Sequence, residues 1–531
     1  MNKLTTKVLI VLLVVVSWAK AGLAGNWILY TINLFILASL LFLFVSKENI
    51  RLRLLLILPI ALICLLFSLS YTNPSFTVIN NSGWAKLNID KYFTHETDIE
   101  KIIMVSEIFK DIKILSKKKP ELAHAIFWDF KKRFFDKYPN HKGPMAKLIL
   151  EYDKIIQLKA NRLIPSSALS NKGLLIEFIN KISQTLIGII LFLCINNRKI
   201  IRNIFLIISI NIGVLAIVGV FQKLNYAPSD EQLEIFGIWN TPEPRYFFSS
   251  FTYKNHWSAF ALMGLCTSLG LLVDSYRRYG KSFTKKTSNL LLFLSVLSIV
   301  ISIPLSGSRS GTILMILSFI LLSFMTLSFF SIFSLKLLCI FSFSIFMGAF
   351  VLYSFVSKIN EETINEMTSN FKAQYDEISN GKLPLRMLLW KDLLEQIQSR
   401  PVYGFGFNSY KTINPIYQSL EVRNMRRIGL KAAHQKYTPL VGTAHNDWLE
   451  KISEFGLVGL LIVCPYLYFI FIQFFKTNSL LSKFGLFGAI IFLIYSFGDF
   501  PSQTPACLML FSTLVGLALK YGYVSPKKVL A

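Results

Sequence analysis

About twelve stretches of roughly 20 predominantly apolar residues recur along this chain, each long enough to cross a bilayer core about 30 Å thick as an α-helix. They fall near 8–24, 27–45, 53–71, 174–195, 201–221, 251–273, 289–305, 312–331, 337–356, 455–475, 484–500 and 503–520. This repetition leaves few architectures open. In hydrocarbon every backbone N–H and C=O must find an internal partner, which spans of this length achieve as helices. Composition agrees: the 531 residues are 53% hydrophobic and only 16% charged, with a mean hydropathy of +0.51, outside the range of an ordinary soluble domain. The expected fold is all-α, a polytopic membrane helix bundle of about twelve transmembrane helices.

The formal net charge of +26 would suit a nucleic-acid partner if it covered one soluble face. Instead the basic residues sit in short clusters between apolar spans, so no nucleic-acid partner is expected. Lys3 and Lys7, Lys47 to Arg53, Arg198 to Arg202, Arg277 to Lys286, Lys476 and Lys483, and Lys520 to Lys528 fall at alternate connections. By the positive-inside rule these connections are cytoplasmic, with both termini. The long connections near 72–173, 222–250 and 357–454 are then extracytoplasmic; the assignment is thinnest at 332–336, where Lys336 stands alone. The implied organisation is 1–71, helices one to three; 72–173, an extracytoplasmic helical insertion; 174–356, helices four to nine; 357–454, a large extracytoplasmic loop; and 455–531, helices ten to twelve with a cytoplasmic tail. The basic Met1–Lys7, the apolar Val8–Val16 and Gly22-Leu23-Ala24 have the form of a signal peptide, but spans follow at once and the segment is read as an uncleaved first helix. All six cysteines lie in or beside apolar spans, and the six histidines are scattered, so neither disulfides nor a metal site is expected.

Within the first outer segment, Thr97-Asp98-Ile99-Glu100 reads as a capping box ahead of Ile102, Ile103 and Ile108. A second helix is predicted from Pro120, with Ile126, Phe130 and Phe134 at i, i+4 spacing, and a third from about Pro144 to Leu158. His95, His124 and His141 are read as surface residues of this helical cap. No internal repeat of the kind found in many secondary transporters is evident.

Several outer elements carry groups suited to chemistry. Pro384 opens a helix, and Pro401 with Gly404 and Gly406 ends it. On its wheel Trp390, Leu393 and Ile397 lie within about 40° of Arg386, so the arginine heads the apolar face. A guanidinium aimed inward needs an anionic partner, supplied by a ligand or by an ordinary salt bridge; the alternative is a snorkelling side chain. The segment Thr443 to Gly456 leads into a span, and a helical wheel aligns His445 with Leu449, Ile452 and Gly456 while Asp447, Glu450 and Glu454 take the opposite face. His445 also lies near a helix N-terminus, which favours bound anions; a structural histidine is the competing reading. In the short turn Ser306-Gly307-Ser308-Arg309-Ser310-Gly311, Arg309 offers a planar fork suited to phosphate, or else snorkels to the interface. Arg245 and the polar run before Trp257 stand at the entry to another span. Arg423, Arg426, Arg427, Lys431, His434 and Lys436 make the loop before His445 basic, and most are read as solvated charges, although together they could attract a pyrophosphate or acidic glycan.

Taken together, these motifs resemble the O-antigen ligase and O-antigen polymerase family: the Ser-Gly-Ser-Arg-Ser-Gly turn, the Arg386 to Trp390 helix with Pro401 and Gly404-x-Gly406, and above all His445-Asn446-Asp447-Trp448-Leu449 with Glu454, Gly456 and Gly459. The motif-bearing part covers roughly 245–465. The resemblance implies a metal-independent, cofactor-free glycosyltransferase of the bacterial inner membrane that works on the extracytoplasmic side. It would transfer a glycan from undecaprenyl pyrophosphate to a hydroxyl of a lipid or glycan acceptor, in surface polysaccharide biosynthesis. It further implies that Arg309 and Arg386 grip the pyrophosphate, with Arg245 and Asn446 also binding substrate, and that His445 handles the proton as catalytic residue. The chain departs from the family pattern in its long insertion after the third span and in Lys254-Asn255-His256 at the entry to the sixth.

The alternative class is a membrane transporter or flippase for a polysaccharide intermediate or small anion. It would be marked by ionisable residues lining a path through the spans. Here the spans hold few charges and the notable polar groups gather on one side, which favours surface chemistry.

Overall fold

The computed structural model describes residues 2–40, 50–76, 90–118, 120–156, 161, 163–225, 234–241, 246–329, 383–427 and 441–524. These residues form eighteen α-helices. In chain order they are α1 (Asn2–Trp18), α2 (Asn26–Leu40), α3 (Ile50–Tyr71), α4 (Asp90–Phe93), α5 (Ile99–Lys118), α6 (Pro120–Lys137), α7 (Pro144–Ile156), α8 (Lys172–Cys194) and α9 (Arg198–Leu224). A two-stranded antiparallel hairpin, β1 (Glu234–Ile235) and β2 (Trp239–Asn240), follows. Then come α10 (Lys254–Tyr279), α11 (Thr287–Leu305), α12 (Arg309–Phe329), α13 (Leu385–Ser399), α14 (Tyr410–Tyr417), α15 (Leu420–Arg427), α16 (Asp447–Lys476), α17 (Leu480–Tyr495) and α18 (Pro505–Tyr523).

Among the described residues seven helices, α8 to α12, α16 and α18, are long and apolar enough to cross a membrane, and shorter apolar helices lie at Leu4–Trp18, Asn26–Ile36, Leu56–Tyr71 and Leu480–Tyr495. This is a multi-pass helical membrane protein. The ninth expected span, near 337–356, and the connection at 332–336 lie outside the described residues.

The chain divides into two compact units. The first comprises Met1–Ile57, Ile179–Tyr375 and Pro465–Ala531. Its centre is α10, buried along most of its length and packed by α9, α11, α12, α17 and α18. Where helices offer each other no hydrophobic advantage in lipid, close backbone approach drives their packing, and small residues permit it. Gly188 of α8 and Gly516 of α18 meet in this way: a Cβ on either would overlap the other helix's backbone. Caps follow local sequence. Asn197 Oδ1 accepts the N–H of Lys199 at 2.8 Å to start α9, and Pro505, which has no N–H to satisfy, opens α18.

The second unit comprises Leu58–Phe178 and Asp376–Cys464. The insertion forms a small helical body whose core gathers Phe109 and Ile112 of α5, Phe127, Phe130 and Phe134 of α6, and Leu148 and Tyr152 of α7. The three expected helices are present, with two corrections. Asp98, not Thr97, caps α5, because its Oδ1 accepts the N–H of Lys101 at 3.2 Å and the two side chains pair at 2.7 Å. His124 is a core residue instead of a surface one. It lies one turn before Trp128 on α6, edge-on to both Phe76 and Trp128, and burial lowers its pKa to about 4, so it enters the core as the neutral ring.

Candidate functional site

Within the second unit, a break in α16 organises the site. Gly456 interrupts that helix with φ 64° and ψ −166°, a region essentially closed to residues with a Cβ. The break strands the carbonyls of Ser453 and Glu454 and the N–H groups of Leu457 and Val458, and the loop after α13 supplies all four partners. Phe405 N and Gly406 N donate to Ser453 O and Glu454 O at 2.9 and 2.8 Å, while Leu457 N and Val458 N donate to Pro401 O and Val402 O at 2.8 and 3.1 Å. This accounts for the glycines of the motif. Gly404 and Gly406 adopt φ 67° and 89°, and a Cβ on Gly404 would stand 2.5 Å from Ser453 O. A Cβ on Gly456 would collide with Val402 O. Gly456→Ala is therefore expected to cost about 1–3 kcal/mol from the backbone conformation alone. Its thermal transition should fall in a detergent melt, whereas an unchanged transition would mean that the loop and helix are not held by this joint.

At its other end α13 is tied to the segment before α16. Trp390 Nε1 donates to Ala444 O at 2.9 Å, and Leu388, Leu389, Leu393, Tyr410, Val422, Val441 and Ala444 close one core. Arg386 sits at the start of α13, about 20° from the buried Leu393 around the helix, and is half-buried. The expected placement at the head of the apolar face holds.

The wheel drawn from His445 does not hold, because the helix begins at Asp447. His445 precedes it with φ 55°, a left-handed conformation that histidine, asparagine and aspartate enter more readily than most residues. Two bonds hold this turn. Asn446 Oδ1 caps α16 by accepting the N–H of Leu449 at 3.0 Å, and the Glu450 carboxylate accepts the N–H of Ala444. Asp447, Glu450 and Glu454, expected on an outward face, are all buried, at 5%, 2% and 2% exposure. Burial together with the positive fields of Arg386 and Arg426 depresses the His445 pKa to about 4, so at neutral pH the ring is uncharged.

Arg426 is the residue that the sequence reading undervalued. Of the basic run assigned to a solvated loop, Arg423 is 3% exposed and Arg426 is half-buried, both on α15. Lys431, His434 and Lys436 lie outside the described residues. The signal available was the i, i+4 relation of Val422 and Arg426, which puts the arginine on the helix face that packs against Tyr410 and Ala444.

In the first unit, Arg309 is the first residue of α12 and is half-buried. Its turn is tightly held. Gly307 takes φ 78°, Ser308 Oγ lies 2.8 Å from Tyr495 Oη, Ser306 Oγ lies 3.2 Å from Ser258 Oγ, and a Cβ on Gly311 would press on Ser258 at 2.5 Å. Nearby, buried Asp499 accepts from Asn255 Nδ2 at 2.5 Å, and His256 Nδ1 pairs with Thr504 Oγ1 at 2.6 Å. Arg245 lies outside the described residues.

A family model described as O-antigen ligase matches residues 293–464. Residues 293–464 are thus similar to the O-antigen ligase family, over about a third of the chain. No curated protein matches the chain. The matched segment contains Arg309, Arg386, Arg426, His445 and Asn446, together with the loop and helix break that join α13 to α16. The insertion at 72–173, Arg245 and the His256 to Asp499 cluster fall outside it. The matched segment lies within a multi-pass helical membrane protein and is similar to a ligase family of membrane enzymes.

Proposed function

We propose that this protein transfers a glycan from an undecaprenyl-pyrophosphate donor to a hydroxyl of a lipid or glycan acceptor on the extracytoplasmic face of the bacterial inner membrane. The observation that carries the reading is a neutral, largely buried histidine on a fixed turn, within the positive fields of Arg386 and Arg426. Cleaving the bond from sugar carbon to pyrophosphate oxygen builds negative charge on the leaving group, and preorganised guanidinium groups stabilise that charge more in the transition state than in the ground state. The acceptor oxygen forms the new bond to the same carbon and gives its proton to His445, which must be unprotonated to take it. Arg386 and Arg309 are assigned to the pyrophosphate. Asn446 binds substrate through its amide N–H groups, since its Oδ1 is committed to the helix cap.

The deciding assay combines the purified full-length protein with a lipid-pyrophosphate-linked glycan and, separately, lipid A core, polysaccharide and protein acceptors. Transfer to one of them is expected. Unchanged donor with all of them, or passage of the intact lipid-linked glycan across a vesicle membrane, would favour translocation instead.

The orientation is proposed from the alternation of basic clusters. A membrane-impermeant thiol reagent applied to intact cells should label a cysteine placed at Lys431 and not one placed at Lys281. The reverse pattern would invert the topology.

A further inference from the structure

The long insertion and the arginine beside His445 meet on α15. Val422 and Arg426 share one face of this short helix, against Tyr410 and Ala444. Arg423, about 100° around the helix from Val422 and about 60° from Arg426, pairs with Asp136 of α6 at 2.9 Å. The same insertion helix sends Lys132 Nζ to the carbonyl of Gln418 at 2.5 Å, just before α15. Asp392 of α13 then accepts the N–H of Ser419 at 3.0 Å. The approach to α15 is thus clasped between the insertion and α13, which carries Arg386 in its first turn. Arg423 is buried to 3% exposure, and its Nε and Nη1 have no hydrogen-bond partner. Asp136 is therefore the group that balances a guanidinium taken out of water, and such a charge is held in place strongly because leaving it unpaired is costly. An eight-residue helix has little stability of its own, so these outside contacts decide where it sits.

We propose that the insertion is a positioning element for the transfer site: Asp136 and Lys132 hold α15 through Arg423 and Gln418, and thereby set Arg426 against the His445 turn as a further donor-binding arginine. This assigns a role to the segment by which the chain departs from the family pattern, and it rests on the glycan-transfer reading. Arg423, Asp136 and Lys132 act through Arg426 and touch no substrate. The charged groups around the His445 turn are Arg386 of α13, Arg426 of α15, and Asp447 and Glu450 of its own helix. Only Arg426 is displaced when the clasp opens.

The test uses the full-length protein in nanodiscs, labelled with 15N-histidine, with His445 identified by the loss of its signal in His445→Asn. In the wild type His445 should remain neutral down to about pH 4. Arg426→Gln and Asp136→Lys should each raise the His445 midpoint by about one pH unit or more, as expected when a nearby positive charge is removed or withdrawn. The paired exchange Asp136→Lys with Arg423→Glu should bring it back. In parallel, Asp136→Lys should raise the donor KM about tenfold, the effect of 1.4 kcal/mol, with a smaller change in kcat. If Asp136→Lys destabilises the protein, Asp136→Asn, judged by a wild-type gel-filtration profile, replaces it. An unchanged His445 midpoint in a folded Asp136 variant, or a paired exchange that folds without restoring it, overturns the proposal. A wild-type protein that transfers no glycan would sink the transfer reading alone, because the histidine titration does not depend on turnover.

Discussion

Replacing His445 by alanine is expected to lower the rate of glycan transfer about 100-fold to 10,000-fold, the usual scale for loss of a general base, while the protein still reaches the membrane at its normal level. Folding should survive because the residue makes no part of the Trp390 to Ala444 bond or of the Asn446 cap. Its left-handed φ of 55° costs the fold a little instead of supporting it. That conformation supplies a control. His445→Asn keeps a residue that accepts the left-handed turn yet carries no basic nitrogen, so it should match the alanine variant in rate and equal or exceed it in stability. Near-normal transfer by both variants would return His445 to a structural role. The pH dependence carries a sign as well. A histidine with a pKa near 4 is deprotonated throughout the neutral range, so kcat/KM for the donor should not fall through protonation of His445 until the pH approaches 4. Once an anionic pyrophosphate offsets the two arginines, the ring binds a proton more readily. The acid limb of kcat should therefore lie at higher pH than that of kcat/KM.

Arg386→Lys and Arg309→Lys should both reduce donor affinity and turnover, because an ammonium keeps the charge but loses the bidentate fork that matches phosphate oxygens. Removing one preorganised donor of transition-state charge typically costs about 100-fold to 1,000-fold in kcat, and Arg386→Gln, which also removes the charge, should lie at or beyond the upper end. The two positions are expected to differ in one respect. Arg386 contributes to the depressed pKa of His445, so Arg386→Gln should raise the histidine's midpoint, whereas Arg309→Gln tests the turn of α12 by affinity and rate alone. Wild-type transfer by both lysine variants would show that neither arginine grips the donor. Retention of activity in Arg309→Lys with loss in Arg386→Lys would confine the pyrophosphate to the surroundings of His445.

The helical membrane class was legible in the residues themselves because hydrocarbon imposes one requirement on every segment, internal satisfaction of the backbone, and a run of apolar side chains reports it locally. The insertion's helices were legible for the same local reason: Pro120, Pro144 and the spacing of Ile126, Phe130 and Phe134 each act within a turn or two. The motif from Arg386 to Gly459 could likewise be picked out by order and spacing. What could not be obtained locally was direction. Whether Asp98 or Thr97 caps α5 turns on which side chain reaches the N–H of Lys101, and whether His124 is inside turns on where Phe76 comes to lie. The departure of His445 from its helix depends on the buried Glu450 drawing in the N–H of Ala444, and a wheel that assumes a regular helix sends the acids outward. Gly404, Gly406 and Gly456 were visible as helix breakers, but their joint purpose appears only when the loop after α13 fills the gap in α16. Arg423 and Arg426 show the difference most clearly: in sequence they are two members of one basic run, and only tertiary packing separates the arginine that pairs with Asp136 from the one whose positive field reaches His445. Sequence determines what each side chain can offer. Tertiary contacts decide which offers are taken up, because burial makes an unpaired charge or N–H costly enough to choose the partner.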